Sequence, residues 1–224
     1  MASGLCPSAS HRMAVYRLVA ELFLYPESRN REVFAQEQRV LADAPNALRD
    51  PVEAFLASPR AEDTDEYLAL LELTPPCPLY LGAYLFEEPS TCRGAALSGR
   101  NAYLIELNAI YGHFGFALDG GELADFLPAM AEFLALTFDR DAQQDLALRR
   151  RFVERHMQPA LAPMRRALEK YETPYARLLD ALEASLEHEL TALVQGVAGA
   201  KLDDGAAAAP SQLEPATASP GRRS

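Results

Sequence analysis

The chain has 224 residues, 49% of them hydrophobic, with a formal net charge of −11 and no tryptophan. That length suits one compact domain able to bury a core without covalent staples, and the composition is that of a soluble globular protein. The acidity argues against nucleic acid as a partner, since clustered Lys and Arg drive phosphate binding. The three cysteines, Cys6, Cys77 and Cys92, show no CxxC spacing and outline neither a disulfide framework nor a zinc site.

Helical periodicity recurs along the chain. Val15, Val19, Leu22 and Phe23 line one side of a first helix that ends at Tyr25-Pro26, where proline forbids continuation. His11, Arg12 and Arg17 interrupt what would be the apolar stretch of a signal peptide, and no run of about 18 apolar residues follows, so the sequence predicts a cytoplasmic protein without membrane insertion. Pro45, Pro51 and Pro59 punctuate two short helices, from about Arg31 to Ala42 and ending near Ala57. Asp63 or Thr64 can cap a helix carrying Tyr67, Leu70, Leu71 and Thr74 on one face, which stops at the semi-rigid Thr74-Pro75-Pro76-Cys77-Pro78.

A long helix is predicted from Cys92 or Arg93 to Tyr111, broken by Gly112 to Gly115. After the turn at Asp119-Gly120-Gly121, residues Leu123, Phe126, Leu127, Met130, Phe133, Leu134 and Thr137 give the strongest amphipathic pattern in the chain. Helices from about Ala142 to Met157 and Pro159 to Tyr171 follow. Thr173-Pro174 opens the last one as N-cap and first helical residue, with a stripe from Tyr175 through Leu178, Leu179, Leu182, Leu186 and Leu190 to Leu193. The expected fold is therefore all-α, a single helical bundle of about eight or nine helices over residues 1–195. Residues 196–224, rich in Ala, Pro, Gly and Ser, read as a disordered tail.

The sequence offers little chemistry. Gly94 to Asn101 comes one step short of a phosphate-binding loop, with Arg100 and Asn101 in place of Lys and Ser or Thr and no preceding strand. His11, His113, His156 and His188 lack metal-ligand spacing, and no Ser or Cys has a nucleophile's setting. What stands out is the crowding of prolines 75 to 78, aromatic residues Tyr80, Tyr84 and Phe86, and carboxylates Glu87 and Glu88 between two predicted helices. Such a segment can line a groove where an apolar peptide packs on aromatic faces while carboxylates meet its basic end.

The combination Tyr67-x-x-Leu70, Glu72-Leu73-Thr74-Pro75, Leu79-Tyr80-Leu81, Arg93 to Leu97, Tyr111-x-x-x-Gly115-Phe116 and Glu122 to Pro128 resembles the NarJ and TorD family of redox-enzyme maturation chaperones. Tyr16 to Pro26 resembles that family's first helix, and the likeness covers roughly Val15 to Leu136. The resemblance implies an all-helical chaperone, not an enzyme, with no cofactor of its own. Its partner would be the leader or N-terminal peptide of a molybdenum enzyme's catalytic subunit, held until the molybdenum cofactor is inserted. The NarJ-like spelling of Glu122 to Pro128 implies a nitrate-reductase-like client. Asp125 matches the aspartate of the family's Asp-His pair, but Phe126 stands where histidine is usual, so the resemblance implies no imidazole there. Whether Asp125 binds a ligand or caps the following helix stays open.

These considerations place the peptide-binding groove at Tyr67, Leu79, Tyr80, Tyr84 and Phe86 and along parts of the Gly121 to Phe133 helix, with Glu87, Glu88, Glu122 and Asp125 facing the basic residues of the leader. A structural adaptor subunit retained in a mature redox complex is the rival reading, and a nucleotide-binding regulator acting through Gly94 to Asn101 is a third. Monomer and helix-swapped dimer are both compatible with the sequence.

Overall fold

Ser8 opens the first helix by a reciprocal cap: its side chain accepts the His11 N–H at 3.2 Å, and its own N–H donates to the His11 ring at 3.3 Å. In this computed structural model, which describes residues 7–87, 98–118 and 121–204, helix α1 spans Ala9–Leu22. It buries Ala14, Val15, Tyr16, Leu18, Val19 and Leu22, more than one stripe, as a central helix must. The following helices are α2 (Arg31–Leu41), α3 (Asn46–Leu56) and α4 (Thr64–Tyr67), with α5 at Gly99–His113 and α6 at Leu127–Leu136. The chain continues as α7 (Gln143–Arg151), α8 (Gln158–Lys170) and α9 (Tyr175–Asp204). Helix α1 packs against α2, α6 and α9, while α9 also packs on α3, α7 and α8. No strand occurs among the described residues; Tyr80 and Phe126 form an isolated antiparallel bridge.

The all-α expectation holds, and the differences lie at element ends. Asp63 caps α4, accepting the Glu66 N–H at 2.9 Å, but α4 passes into a π turn at Leu68–Glu72, closed by the Leu73 N–H on the Leu68 carbonyl. Helix α5 begins at Gly99, where Ser98 caps it through the Asn101 N–H; Cys92 and Arg93 lie outside the described residues. Helix α6 begins at Leu127 rather than near Leu123, because Leu123 to Phe126 form a turn, closed by the Phe126 N–H on the Leu123 carbonyl, and Phe126 is held in the bridge to Tyr80. It is also buried on most sides, not one. Helices α7 and α8 are joined by a second π segment, Phe152–Met157. Thr173 makes no cap: its hydroxyl is buried without a hydrogen-bond partner, and α9 starts two residues later. Helix α9 continues to Asp204, past the predicted tail boundary at Gly196, and the rest of the predicted tail, 205–224, lies outside the described residues.

An aromatic core joins Phe23, Phe55, Tyr67 and Tyr175, with ring centroids 5.2 to 6.2 Å apart among the pairs that touch. Beside it lies Arg29, only 6% exposed. Its guanidinium donates to the Leu22 carbonyl (2.8 Å), the Leu24 carbonyl (3.1 Å), the Ala61 carbonyl (2.9 Å), Glu62 Oε1 (3.0 Å) and the Tyr175 hydroxyl (2.9 Å). The carbonyls ending α1, which have no partner within the helix, are thus satisfied in a place water does not reach. Replacing Arg29 by Met, which keeps much of the stem, should cost about 3–5 kcal/mol in urea unfolding, because buried acceptors lose their donors at once. Arg29→Lys, with the charge but not the fork, should recover less than half of that loss. An unchanged Arg29→Met midpoint would mean that other donors reach these carbonyls.

Candidate functional site

Two stretches far apart in sequence are laid side by side at the Tyr80–Phe126 bridge. The Leu81 N–H donates to the Asp125 carbonyl at 2.9 Å and the Leu127 N–H to the Leu79 carbonyl at 2.8 Å. Asp125 is fully buried and reaches across this pair: its Oδ2 accepts the Gly82 N–H at 2.9 Å and lies 3.6 Å from Arg100 Nη2. A Cβ at position 82 would come within 2.6 Å of that oxygen, so the contact requires glycine. Burial pushes the Asp125 carboxyl above its ordinary range, while the Gly82 N–H and Arg100 pull it back. Asp125 is therefore not the side-chain cap of α6: the cap position is Phe126, no side chain bonds there, and the carboxylate is turned toward Gly82 and Arg100.

The other predicted groove residues divide by depth. Tyr67 and Leu79 are each 2% exposed; Tyr67 packs on Tyr25 and Tyr175 and donates to the Phe23 carbonyl at 3.0 Å. Tyr84, half-buried, donates to the Pro78 carbonyl at 2.9 Å. Phe86 lies on Tyr103, with centroids 5.4 Å apart, and against Gly99. Tyr80 stacks on Phe126 at 5.5 Å and donates its hydroxyl to Glu122 at 2.6 Å. Burial and the neighbouring Glu122 push its hydroxyl up to about 12, so it stays a donor at neutral pH. Glu87 is exposed, and Glu88 lies outside the described residues.

A cleft opens beside this pair of stretches, not over it. About 630 Å³ in volume, it runs between α1, α2 and α6 and is closed along one edge by Phe116, Ala117 and Leu118. Its apolar lining includes Ala20, Leu24, Val33, Phe126, Ala129 and Leu136. Four carboxylates, Glu21, Glu37, Glu122 and Glu132, face it against one guanidinium, Arg17, an excess of three negative charges among the described residues. Arg17 is occupied with Glu37 at 2.7 Å, leaving the more exposed Glu122 and Glu132 to set the field at the mouth. Of the residues named singly for the groove, Glu122 lines this cleft, with Tyr80 bonded to it from beside, and the 121–133 stretch also contributes Phe126, Pro128, Ala129 and Glu132. The contributions of α1 and α2 escaped sequence reasoning because residues 17–37 and 116–136 become neighbours only in the fold.

Other chemistry is sparse among the described residues. No group of three or more His, Cys, Asp or Glu side chains is placed to hold a metal ion. Cys77 is buried and its thiol is pushed up to about 11, which is not the setting of a nucleophile. Arg100, at the phosphate-loop position, points to Asp125, and the predicted loop otherwise falls largely outside the described residues. Among the described residues no helix is long and apolar enough to cross a membrane.

No curated protein matches the chain. The family model described as nitrate reductase delta subunit matches residues 35–165, which takes in α2 through most of α8 and so the paired stretches and much of the cleft. The chain belongs to the nitrate reductase delta subunit family, a family of molybdoenzyme maturation chaperones and not of catalysts.

Proposed function

We propose that this protein binds the N-terminal segment of a molybdenum enzyme's catalytic subunit and holds it until the cofactor is inserted and the complex is assembled or exported. The observation that carries this reading is the cleft between α1, α2 and α6: an apolar trough with an excess of negative charge suits a segment that is apolar along one side and basic at one end. The Tyr80–Glu122 pair extends the surface toward the Leu79–Leu81 stretch, and Asp125 acts from beneath by fixing that stretch through Gly82. Apolar burial at about 25 cal/mol per Å², offset by the cost of ordering the segment, leaves a reversible complex. A chaperone that must release its client needs that reversibility. The setting proposed is the cytoplasm, where the immature subunit is made.

Two measurements test the reading. Glu122→Gln with Glu132→Gln keeps the Tyr80 acceptor but removes two charges; affinity for the subunit's N-terminal peptide should fall roughly three- to tenfold at low salt, with the difference shrinking as salt is raised. Equal affinities at low salt would remove the electrostatic part. In molybdate-starved cells, pull-down of the full chain should recover the immature catalytic subunit, with recovery lost when that subunit's N-terminal segment is deleted. Stoichiometric presence of the chain in the finished, active enzyme would instead establish the adaptor reading.

A further inference from the structure

A second void of about 80 Å³ lies behind the strap formed by residues 116–118. Tyr111 and Phe133 form its back, Phe116 and Leu118 its outer wall, and Ala129 and Leu136 its side along α6. Phe116, Leu118, Ala129, Glu132 and Leu136 also line the main cleft, so the void is a side chamber of it.

Its chemistry is uniform. The Tyr111 hydroxyl is spent on the Ala124 carbonyl at 2.9 Å, which leaves Glu132 as the one charged group lining the chamber among the described residues. The strap is firmly rooted, because α5 ends in a left-handed Gly115 (φ +80°) with the Phe116 N–H returned to the Tyr111 carbonyl at 2.9 Å. That turn sets Phe116 edge-on to Phe133, with centroids 6.0 Å apart. Leu136, at the rim, is 52% exposed, unusual for so large an apolar side chain.

We infer that the chamber is an anchor subsite that takes one branched aliphatic or small aromatic side chain of the client segment, next to a Lys or Arg that meets Glu132. This rests on the cleft being the client site, and it adds the feature by which a client would be selected. A closed cavity about twice this size holds a benzene molecule, and because this chamber opens into the cleft a single side chain can enter it with part of its bulk in the cleft. The pairing with a basic neighbour follows from charge: Glu132 lines both spaces, and the cleft carries an excess of negative charge with its one guanidinium already paired.

The test uses the full chain with two probes. Toluene, followed by methyl NMR, should shift the Leu118, Ala129 and Leu136 signals saturably, and Ala129→Leu, which fills the chamber, should abolish the effect. The second probe is the N-terminal peptide of the catalytic subunit recovered by pull-down, with its apolar residues changed singly to alanine. One position should cost tenfold or more in affinity for the parent protein and almost nothing in Ala129→Leu. Leu136→Ala, at an exposed site where misfolding is not a concern, should weaken the parent peptide severalfold. Absence of toluene shifts overturns the proposal. Peptide binding indifferent to both variants also overturns it, while leaving the cleft as client site. Toluene shifts without peptide binding overturn the client as occupant. A concentration-dependent dimer dissolved by Ala129→Leu would assign the chamber to a second copy of the chain instead.

Discussion

The arrangement depends first on how the end of α1 is held. Helix α1 lies at the centre of the bundle, and its last carbonyls point into the protein, where an unmet acceptor is costly. Arg29 meets them and in the same gesture reaches Ala61, Glu62 and the Tyr175 hydroxyl, so one planar group joins α1, the turn before α4 and the start of α9. The cleft wall made by Ala20, Glu21 and Leu24 lies in the last turn of α1 and just beyond it, so its position follows from that anchoring.

The other end of α1 is held in a similar way. Arg12 Nε lies 3.2 Å from Glu189 Oε2, and Arg149 Nε lies 2.5 Å from Glu189 Oε1; Arg149 also donates to the Thr137 hydroxyl. Phe138 sits under both guanidiniums, 5.3 and 5.2 Å from its centroid. Buried ion pairs of this kind add little net stability, since desolvation offsets the attraction. They penalise wrong arrangements heavily, and here the group fixes α1, the end of α6, α7 and α9 against one another. A central helix with apolar sides could slide along its neighbours; polar fixation at both ends removes that freedom.

The helical class, the two short helices after Pro26 and the stripe of α9 were legible because they depend on local rules: proline placement, capping and 3.6-residue periodicity. Leu178, Leu179, Leu182 and Leu186 are buried as their spacing requires. The start of α6 was not legible, because main-chain pairing with Leu79–Leu81 overrides a continuous helical pattern from Leu123 onward, and no local signal announces a partner so distant in sequence. The Thr173 cap failed for a related reason: the hydroxyl is buried by packing and makes no bond to the N–H groups it would serve. At the candidate site, the aromatic and acidic crowding between Pro75 and Glu87 was visible. What the fold changed was its use, with Tyr67 and Leu79 drawn into the core and the cleft opened toward α1 and α2 instead.

The two π segments carry a consequence for sequence change. Each holds one residue more than an α-helical turn would, so the faces before and after it keep their register although the chain between them is longer. Losing a single residue from Phe152–Met157 would let the segment close as ordinary α-helix, whereas the same loss from a regular helix turns everything beyond it by about 100° about the axis. Ala160, Leu161, Met164 and Leu168 would go on facing the core. Homologous chains are therefore expected to tolerate single-residue gaps inside Leu68–Glu72 or Phe152–Met157 more readily than in the regular helices around them.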